Sequence, residues 1–285
     1  MKFFIKKIRI ALVFLLLFWI ILAQSCARFI TSDSKAKQEF AKDSIDIELK
    51  SAVINGRTIH YATTGAMDKP TLFFIHGSPG SWDAFKKYLK DKELRQNFRL
   101  ISIDRPGFGH SDYGEAISLE KQAALIGPLI GKLKNGKDFN IIGHSLGGPL
   151  VVKLAAEYKQ YITGAVLLAA SVDPNEEKKE LWRPILKAFP LRYLLPGAFR
   201  PSNIELWEFK KDVLTMPADL NALTCPVIIL QGLKDPMVPP GNAFYAQKEL
   251  VHAKSVKLIT IDDANHFIPW TRYSIIKDAL MTLPH

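Results

Sequence analysis

Asn140-Ile141-Ile142-Gly143-His144-Ser145-Leu146-Gly147-Gly148 is the stretch whose reading decides the fold. It leaves an apolar run at 139–142, short enough for a buried strand, and passes through Gly-x-Ser-x-Gly. It then enters a helical pattern at 149–157 with Pro149 in the first turn. Strand, sharp turn and helix, in that order, hold a serine in a strained conformation with Oγ projecting from the strand end. Gly143 and Gly147 carry no side chain, so neighbouring backbone can close in around the turn. The free N–H groups and positive end of the following helix lie beside Oγ, where negative charge on a substrate oxygen is stabilised. A bare Gly-x-Ser-x-Gly arises by chance in Gly-rich chains; the flanking strand and helix give this one its meaning.

Outward from this turn the pattern repeats. Apolar runs at 71–75, 98–103, 165–170, 227–230 and 256–261 read as further strands, and 118–133 has helical apolar spacing with Ser118 placed to cap it. Strands that are apolar throughout and separated by helices imply a parallel sheet covered on both faces. Ahead of them Ile45, Ile47 and Leu49 alternate with polar residues, Asn55-Gly56 supplies a turn, and 58–62 resumes, which predicts a hairpin. The fold class is α/β, and in such sheets chemistry gathers at the carboxyl ends of the strands.

Each strand end carries residues suited to chemistry. His76-Gly77-Ser78-Pro79-Gly80 follows the run at 71–75, and the N–H of Ser78 is placed to join that of Leu146 in an oxyanion hole. Asp104-Arg105-Pro106-Gly107-Phe108-Gly109-His110-Ser111 reads as a structural turn in which Asp104 and Arg105 fix the loop. A serine nucleophile needs a base, and neutral imidazole suits it near pH 7. Of the seven histidines, His144 adjoins Ser145 but the turn should aim it elsewhere, His252 lies in a charged stretch, and His285 is terminal. His266 follows the last strand and is the best-placed base. The acid that orients it is Asp235, after the run at 227–230, with Asp173 as a rival position; Asp262 and Asp263 read as turn residues.

Gly-His-Ser-Leu-Gly-Gly, His-Gly-Ser-Pro-Gly, Asp-Arg-Pro-Gly-Phe-Gly-His-Ser, Gly-Leu-Lys-Asp and Asn-His-Phe, in this order over about 45–283, resemble the α/β-hydrolase family. The resemblance implies a mostly parallel, doubly covered eight-stranded sheet with a small helical lid. It also implies a triad of Ser145 as nucleophile, Asp235 as acid and His266 as base, with no metal and no organic cofactor. Epoxide hydrolases and haloalkane dehalogenases of this family use aspartate where this chain has Ser145. Proline iminopeptidases share the His-Gly-x-Pro-Gly look but usually differ around the serine. The expected reaction is hydrolysis of a carboxylic ester through an acyl-enzyme. Hydrolysis of a C–C bond, lactone or amide by the same triad, or a ligand-binding protein with little turnover, are the alternatives.

Between about 172 and 224 the strand–helix pattern breaks, where this family inserts its lid. The segment carries Trp182, Phe189, Tyr193, Phe199, Trp207 and Phe209. They either line a pocket for an apolar acyl or aryl group of a small-molecule substrate or simply pack the lid. The stretch 191–199, flanked by Arg192 and Arg200, also has the make-up of a membrane-touching surface.

Composition sets the outer limits. The chain has 285 residues, 48% hydrophobic and 23% charged, enough for one large domain. Its +10 charge includes Lys2, Lys6, Lys7 and Arg9 at the start and is otherwise scattered, with no long basic block, which argues against a nucleic-acid partner. Residues 10–23 are an unbroken apolar run of 14, about 21 Å as a helix against a hydrocarbon core of about 30 Å. Basic lead and short run fit a signal peptide over 1–25. Leu22-Ala23-Gln24-Ser25-Cys26 resembles a bacterial lipoprotein signal, with Cys26 as the lipidated residue, although Ala23 and Gln24 depart from the usual pattern. The expected location is the cell envelope as a membrane-attached lipoprotein; the alternative is an uncleaved N-terminal anchor. Residues 26–43 read as a polar tether and 44–285 as the hydrolase domain. Cys225, beside Pro226, reads as a small core residue rather than a disulfide partner of Cys26.

Overall fold

The computed structural model describes residues 2–178 and 180–284. Among these, eight strands form one sheet: β1 (Glu48–Ile54), β2 (Arg57–Thr64), β3 (Thr71–Ile75), β4 (Arg99–Ile103), β5 (Phe139–His144), β6 (Gly164–Leu168), β7 (Val227–Gly232) and β8 (Val256–Ile261). Their order is β1-β2-β4-β3-β5-β6-β7-β8. The Asn55-Gly56 turn, with φ of 49° and 76°, closes the β1–β2 hairpin, and β2 runs antiparallel to β4. From β4 to β8 every neighbouring pair is parallel.

Alternation along the strands divides the core in two. Phe73, Ile75, Ile141 and Ile229 face one hydrophobic layer, whereas Leu72, Phe74, Ile142 and Leu230 face the other. Helices cover both layers: α1 (Lys2–Ser25), α2 (Asp33–Ala41), α3 (Lys86–Lys90), α4 (Lys92–Asn97), α5 (Leu119–Leu133), α6 (Gly147–Glu157), α7 (Arg183–Lys187), α8 (Phe199–Asp212), α9 (Met216–Asn221), α10 (Gly241–Glu249), α11 (Ile268–Thr271) and α12 (Tyr273–Leu280), with α1 as the exception described below. The α/β architecture expected from the sequence is the one observed.

The details differ in three places. Ser118 makes no capping bond; the first N–H of α5, that of Leu119, donates instead to Asp212 Oδ2 at 2.7 Å. The end of the predicted lid belongs to the body, because Met216, Leu220 and Leu223 are buried in the core beside α6. The lid proper is α7, a 3₁₀ turn at Leu191–Leu194, and α8. The third difference is the tether. Residues 33–41 form α2, which buries Ala36 and Phe40 completely in the core, and Lys90 lies over the Phe40 ring. A polar stretch is thus held by two apolar side chains one helical turn apart, too sparse a pattern to stand out in the sequence.

Helix α1 is of another kind. From Phe4 to Ser25 it is long and apolar enough to cross a membrane, and most of its large side chains, among them Phe14 (67% exposed) and Phe18 (65%), have no protein cover. Its length, composition and N-terminal place fit a signal or an anchor.

The buried ring of Phe40 gives a direct check on the tether. Phe40→Ala should cost about 3–5 kcal/mol in chemical unfolding, as for other fully buried aromatics. A freely moving linker would leave stability unchanged.

Candidate active site

Ser145 follows directly from β5 with φ of 54°, in the left-handed region that a residue with a side chain seldom occupies. Its N–H donates to Leu168 O of β6 at 3.0 Å, and its carbonyl accepts Gly148 N–H at 2.9 Å. A Cβ on Gly143 would overlap Gly147 O, and one on Gly147 would overlap Ile75 O of β3. The turn can be this tight only because both positions are glycine.

Asp235 and His266 lie on the loops after β7 and β8. His266 Nδ1 is 2.7 Å from Asp235 Oδ2, and both side chains are buried. Asp235 Oδ1 accepts the N–H groups of Met237 and Val238, each at 2.8 Å. Burial raises the Asp235 carboxyl, but the hydrogen bond from His266 and these N–H groups outweigh it and hold its pKa below the ordinary value. Asp173, the rival, serves its own turn: Oδ1 accepts Asn175 N–H, and its N–H donates to Asn242. Asp262 is exposed, and Asp263 is exposed and paired with Arg272. His252 is on the surface and His285 lies outside the described residues. His144 shares the cleft with Ser145, and no hydrogen bond joins its ring to Ser145. Its Nε2 sits 3.0 Å from the carbonyl of His266 and braces that loop. Burial first, and the neighbouring His266 second, push the His144 pKa down to about 3.

Ser145 and His266 face one cleft but are not hydrogen-bonded to each other. Such contacts are often long in a free enzyme and tighten around substrate. Leu146, at the start of α6, and Ser78, after β3, border Ser145 in the adjoining chamber. Among the described residues neither of their N–H groups is paired with a carbonyl, and the buried Ser78 Oγ has no partner either.

Two spaces therefore meet at Ser145. One is an apolar cleft of about 390 Å³ walled by Phe29, Ala84, Phe199, Met237, Phe267 and Trp270. The other is a chamber of about 250 Å³ and mixed character, bordered by Leu206, Val238 and Pro239 as well as by Glu176, Glu177 and Arg183. Of the six lid aromatics singled out in the sequence, Phe199 alone lines the cleft. Phe209 is buried in the core, Trp207 is half-buried on α8 and lines neither space at Ser145, Trp182 and Phe189 face outward, and Tyr193 pairs with Arg192 and Arg200. The other cleft aromatics come from outside the lid. Phe267 and Trp270 follow His266 within one turn of chain, a signal that the sequence carried; Phe29 had none.

Behind the site, Arg105 is fully buried. Its guanidinium forks onto the Glu205 carboxylate of α8 and also donates to Gly77 O (3.0 Å) and Gln122 Oε1 (3.1 Å). His76 Nε2 accepts Arg105 N–H at 3.0 Å. One cation thus ties lid helix α8 to the loop that carries Ser78. Asp104 does as its position implied: it accepts the N–H groups of Trp82 (2.7 Å) and His110 (2.9 Å) and contacts His60 Nδ1 (3.0 Å).

A strained serine at the end of β5, followed by a buried aspartate and a histidine at the ends of β7 and β8, is the arrangement of a hydrolase site. Comparison with known proteins agrees. The α/β hydrolase fold family model matches residues 70–194. Proline iminopeptidase PfmaB of Pestalotiopsis fici is 22% identical over 260 residues, which is 75% of this chain and 92% of that one. Human serine hydrolase BPHL is 28% identical over 233 residues, 75% of this chain and 78% of that one. Among solved structures, a bacterial membrane phospholipase A superposes with a TM-score of 0.63 at 16% identity, covering 99% of this chain and 100% of that one. The chain has the α/β-hydrolase fold and is a hydrolase.

The buried histidines set a pH dependence. His144 and His76 are held neutral chiefly by burial, their pKa values falling from 6.5 to about 3 for His144 and well below 6.5 for His76. A histidine with a depressed folded pKa binds protons more readily when unfolded. Its contribution is complete above about pH 6.5 and is lost as pH falls toward the folded value. Unfolding free energy should therefore decline between pH 6.5 and 3 by up to about 1.4 kcal/mol per pH unit for each group. His144→Gln should reduce that slope by about one proton's worth; denaturant titrations across this window measure it, and an unchanged slope would contradict the assignment.

Proposed function

We propose that this chain hydrolyses carboxylic esters through an acyl intermediate on Ser145, with the apolar acyl part of the substrate in the aromatic cleft. The observation that carries the reading is the His266–Asp235 pair, 2.7 Å apart and buried, on the same cleft as the strained Ser145. Asp235 fixes the tautomer of His266 so that Nε2 is free to take a proton. His266 removes the Ser145 proton as Oγ attacks the ester carbonyl. The N–H groups of Leu146 and Ser78 hold the resulting oxyanion, a pairing supported by their lack of carbonyl partners. His266 then protonates the leaving alcohol, and water repeats the sequence on the acyl-enzyme. No step calls on a metal or cofactor. The apolar wall of the cleft, supplied by Phe29, Phe199, Phe267 and Trp270, supports an acyl substrate. The two spaces that meet at the serine support a substrate with one apolar arm and a second arm of mixed polarity. The N-terminal helix supports a chain held at a membrane, whether by a retained anchor or through a lipid on Cys26.

Amide hydrolysis by the same residues is the second reading, favoured by the similarity to an iminopeptidase and by the Glu176 carboxylate in the chamber that Ser145 borders, which suits a cationic group, whereas Glu177 is already paired with Lys210.

Kinetics on a panel of esters of rising acyl length test the proposal. Ser145→Ala and His266→Ala should each lower turnover about 10⁴–10⁶-fold, and the double variant by little more, because the residues act as a unit. Asp235→Asn should cost about 10⁴-fold through the wrong tautomer. In the parent, kcat/KM should rise up to about fourfold per methylene until the cleft is full. A profile that falls steadily from acetate would remove the acyl reading, and faster turnover of aminoacyl amides than of any ester would favour the second.

A further inference from the structure

The last turns of α1 are bound to the lid. Trp19 Nε1 donates to Leu194 O at 3.1 Å, and Gln24 Nε2 reaches Tyr193 O at 3.0 Å and Leu195 O at 3.2 Å. Arg200 Nη1 donates to Gln24 Oε1 at 2.9 Å. Gly197 N–H donates to Ala23 O at 2.7 Å, and Ala198 N–H to Ala27 O at 2.9 Å. Ala23 is 1% exposed in a helix whose side chains are mostly exposed. The approach is backbone to backbone: Gly197 has φ of 47°, and a Cβ there would overlap Cys26 O and Ala27. The chain leaves this junction with Ala27 and Phe29 both at left-handed φ, 51° and 50°. Such strain in residues with side chains persists only where surrounding contacts enforce it. It delivers Phe29 edge-on to Phe199, 6.1 Å between ring centres, in the wall of the apolar cleft.

We propose that α1 is retained as a membrane anchor and that its last turn is a clasp that holds the lid and sets the mouth of the apolar cleft at the lipid surface. Of the six hydrogen bonds just described, five use residues on the N-terminal side of Cys26, so cleavage there would strip the lid of them. The uncovered apolar surface of α1 has a bilayer as its natural partner. With Lys6, Lys7 and Arg9 at its start, the helix leaves the hydrocarbon near Ala23, the residue that Gly197 of the lid holds. Phe29 is four residues beyond Ser25 and cannot lie more than about 14 Å from the helix end. The rim it shares with Phe199, Phe267 and Trp270, each 43–49% exposed, therefore sits at the interface, where acyl chains of bilayer lipids are within reach. The choice of lipid acyl esters as substrate rests on the ester reading above; the clasp itself does not.

The test uses the full chain in detergent and in phosphatidylethanolamine–phosphatidylglycerol vesicles. Intact mass of protein extracted from membranes should show residues 1–25 still attached; a mature chain that begins at a lipidated Cys26 would overturn the proposal. Gln24→Ala removes three of the hydrogen bonds, and Gly197→Val crowds the junction. Either should raise trypsin cleavage after Arg192 about tenfold, the loss expected from two or three modest hydrogen bonds. Both should lower turnover of a long-chain ester presented in vesicles severalfold, while a soluble acetate ester is cleaved at the parent rate. Unchanged proteolysis in both variants would overturn the clasp. Parent protein that cleaves no ester, yet keeps residues 1–25 and shows the proteolysis change, would leave the clasp standing and remove the ester reading alone. Equal losses on acetate and vesicle substrates would overturn the placement of the cleft at the lipid surface.

Discussion

A single backbone conformation governs this molecule. Ser145 sits at φ of 54°, a region that costs a residue with a side chain about 1–3 kcal/mol, and the rest of the sheet is built to hold it there. β6 supplies Leu168 O for its N–H, β3 packs its backbone against Gly147, and α6 begins two residues on. These contacts require β5 to be flanked by β3 and β6, with no side chain at 143 or 147. The order β4-β3-β5-β6-β7-β8 then brings the ends of β7 and β8, with Asp235 and His266, to the same edge. The site is thus a consequence of parallel topology.

Around that fixed point the structure uses few buried charges. Arg105, fully enclosed, answers Glu205 from the lid and Gly77 O from the loop bearing Ser78. Losing one partner of such a pair leaves an uncompensated buried charge, typically a cost of about 3–5 kcal/mol, so α8 is held to the body. The front of the lid has no comparable tie among the described residues; its fastening is the end of α1. The lid therefore has a fixed back, held by a buried ion pair, and a front held by hydrogen bonds with the N-terminal helix.

Much of this was legible in the sequence because it rests on local chemistry. Gly-His-Ser-Leu-Gly-Gly between a strand and a helix can do little else, and apolar runs interleaved with helices dictate a doubly covered parallel sheet. Asp235 and His266 could be chosen because each follows a strand. What escaped depends on contacts between distant segments. Arg105 gave no hint of Glu205, one hundred residues away. Phe40 is an isolated apolar residue in a polar stretch, and only its burial distinguishes α2 from a tether. The lid aromatics were counted correctly but misplaced, because a lid folds without a regular period and composition does not say which rings face the serine. Phe29 reaches the cleft through two strained residues that no propensity favours. The signal-like look of residues 1–25 described their composition well and their docking on the lid not at all.

The central claim is that Ser145 carries the acyl group. Rapid quenching of the enzyme in mid-turnover with a slowly hydrolysed long-chain ester, followed by peptide mass mapping, reads this directly. The account predicts one acyl adduct, on the peptide containing Ser145, which decays at the rate of turnover and is absent in Ser145→Ala. Steady turnover with no adduct at Ser145, or an adduct on another residue that forms and decays at the catalytic rate, would contradict it.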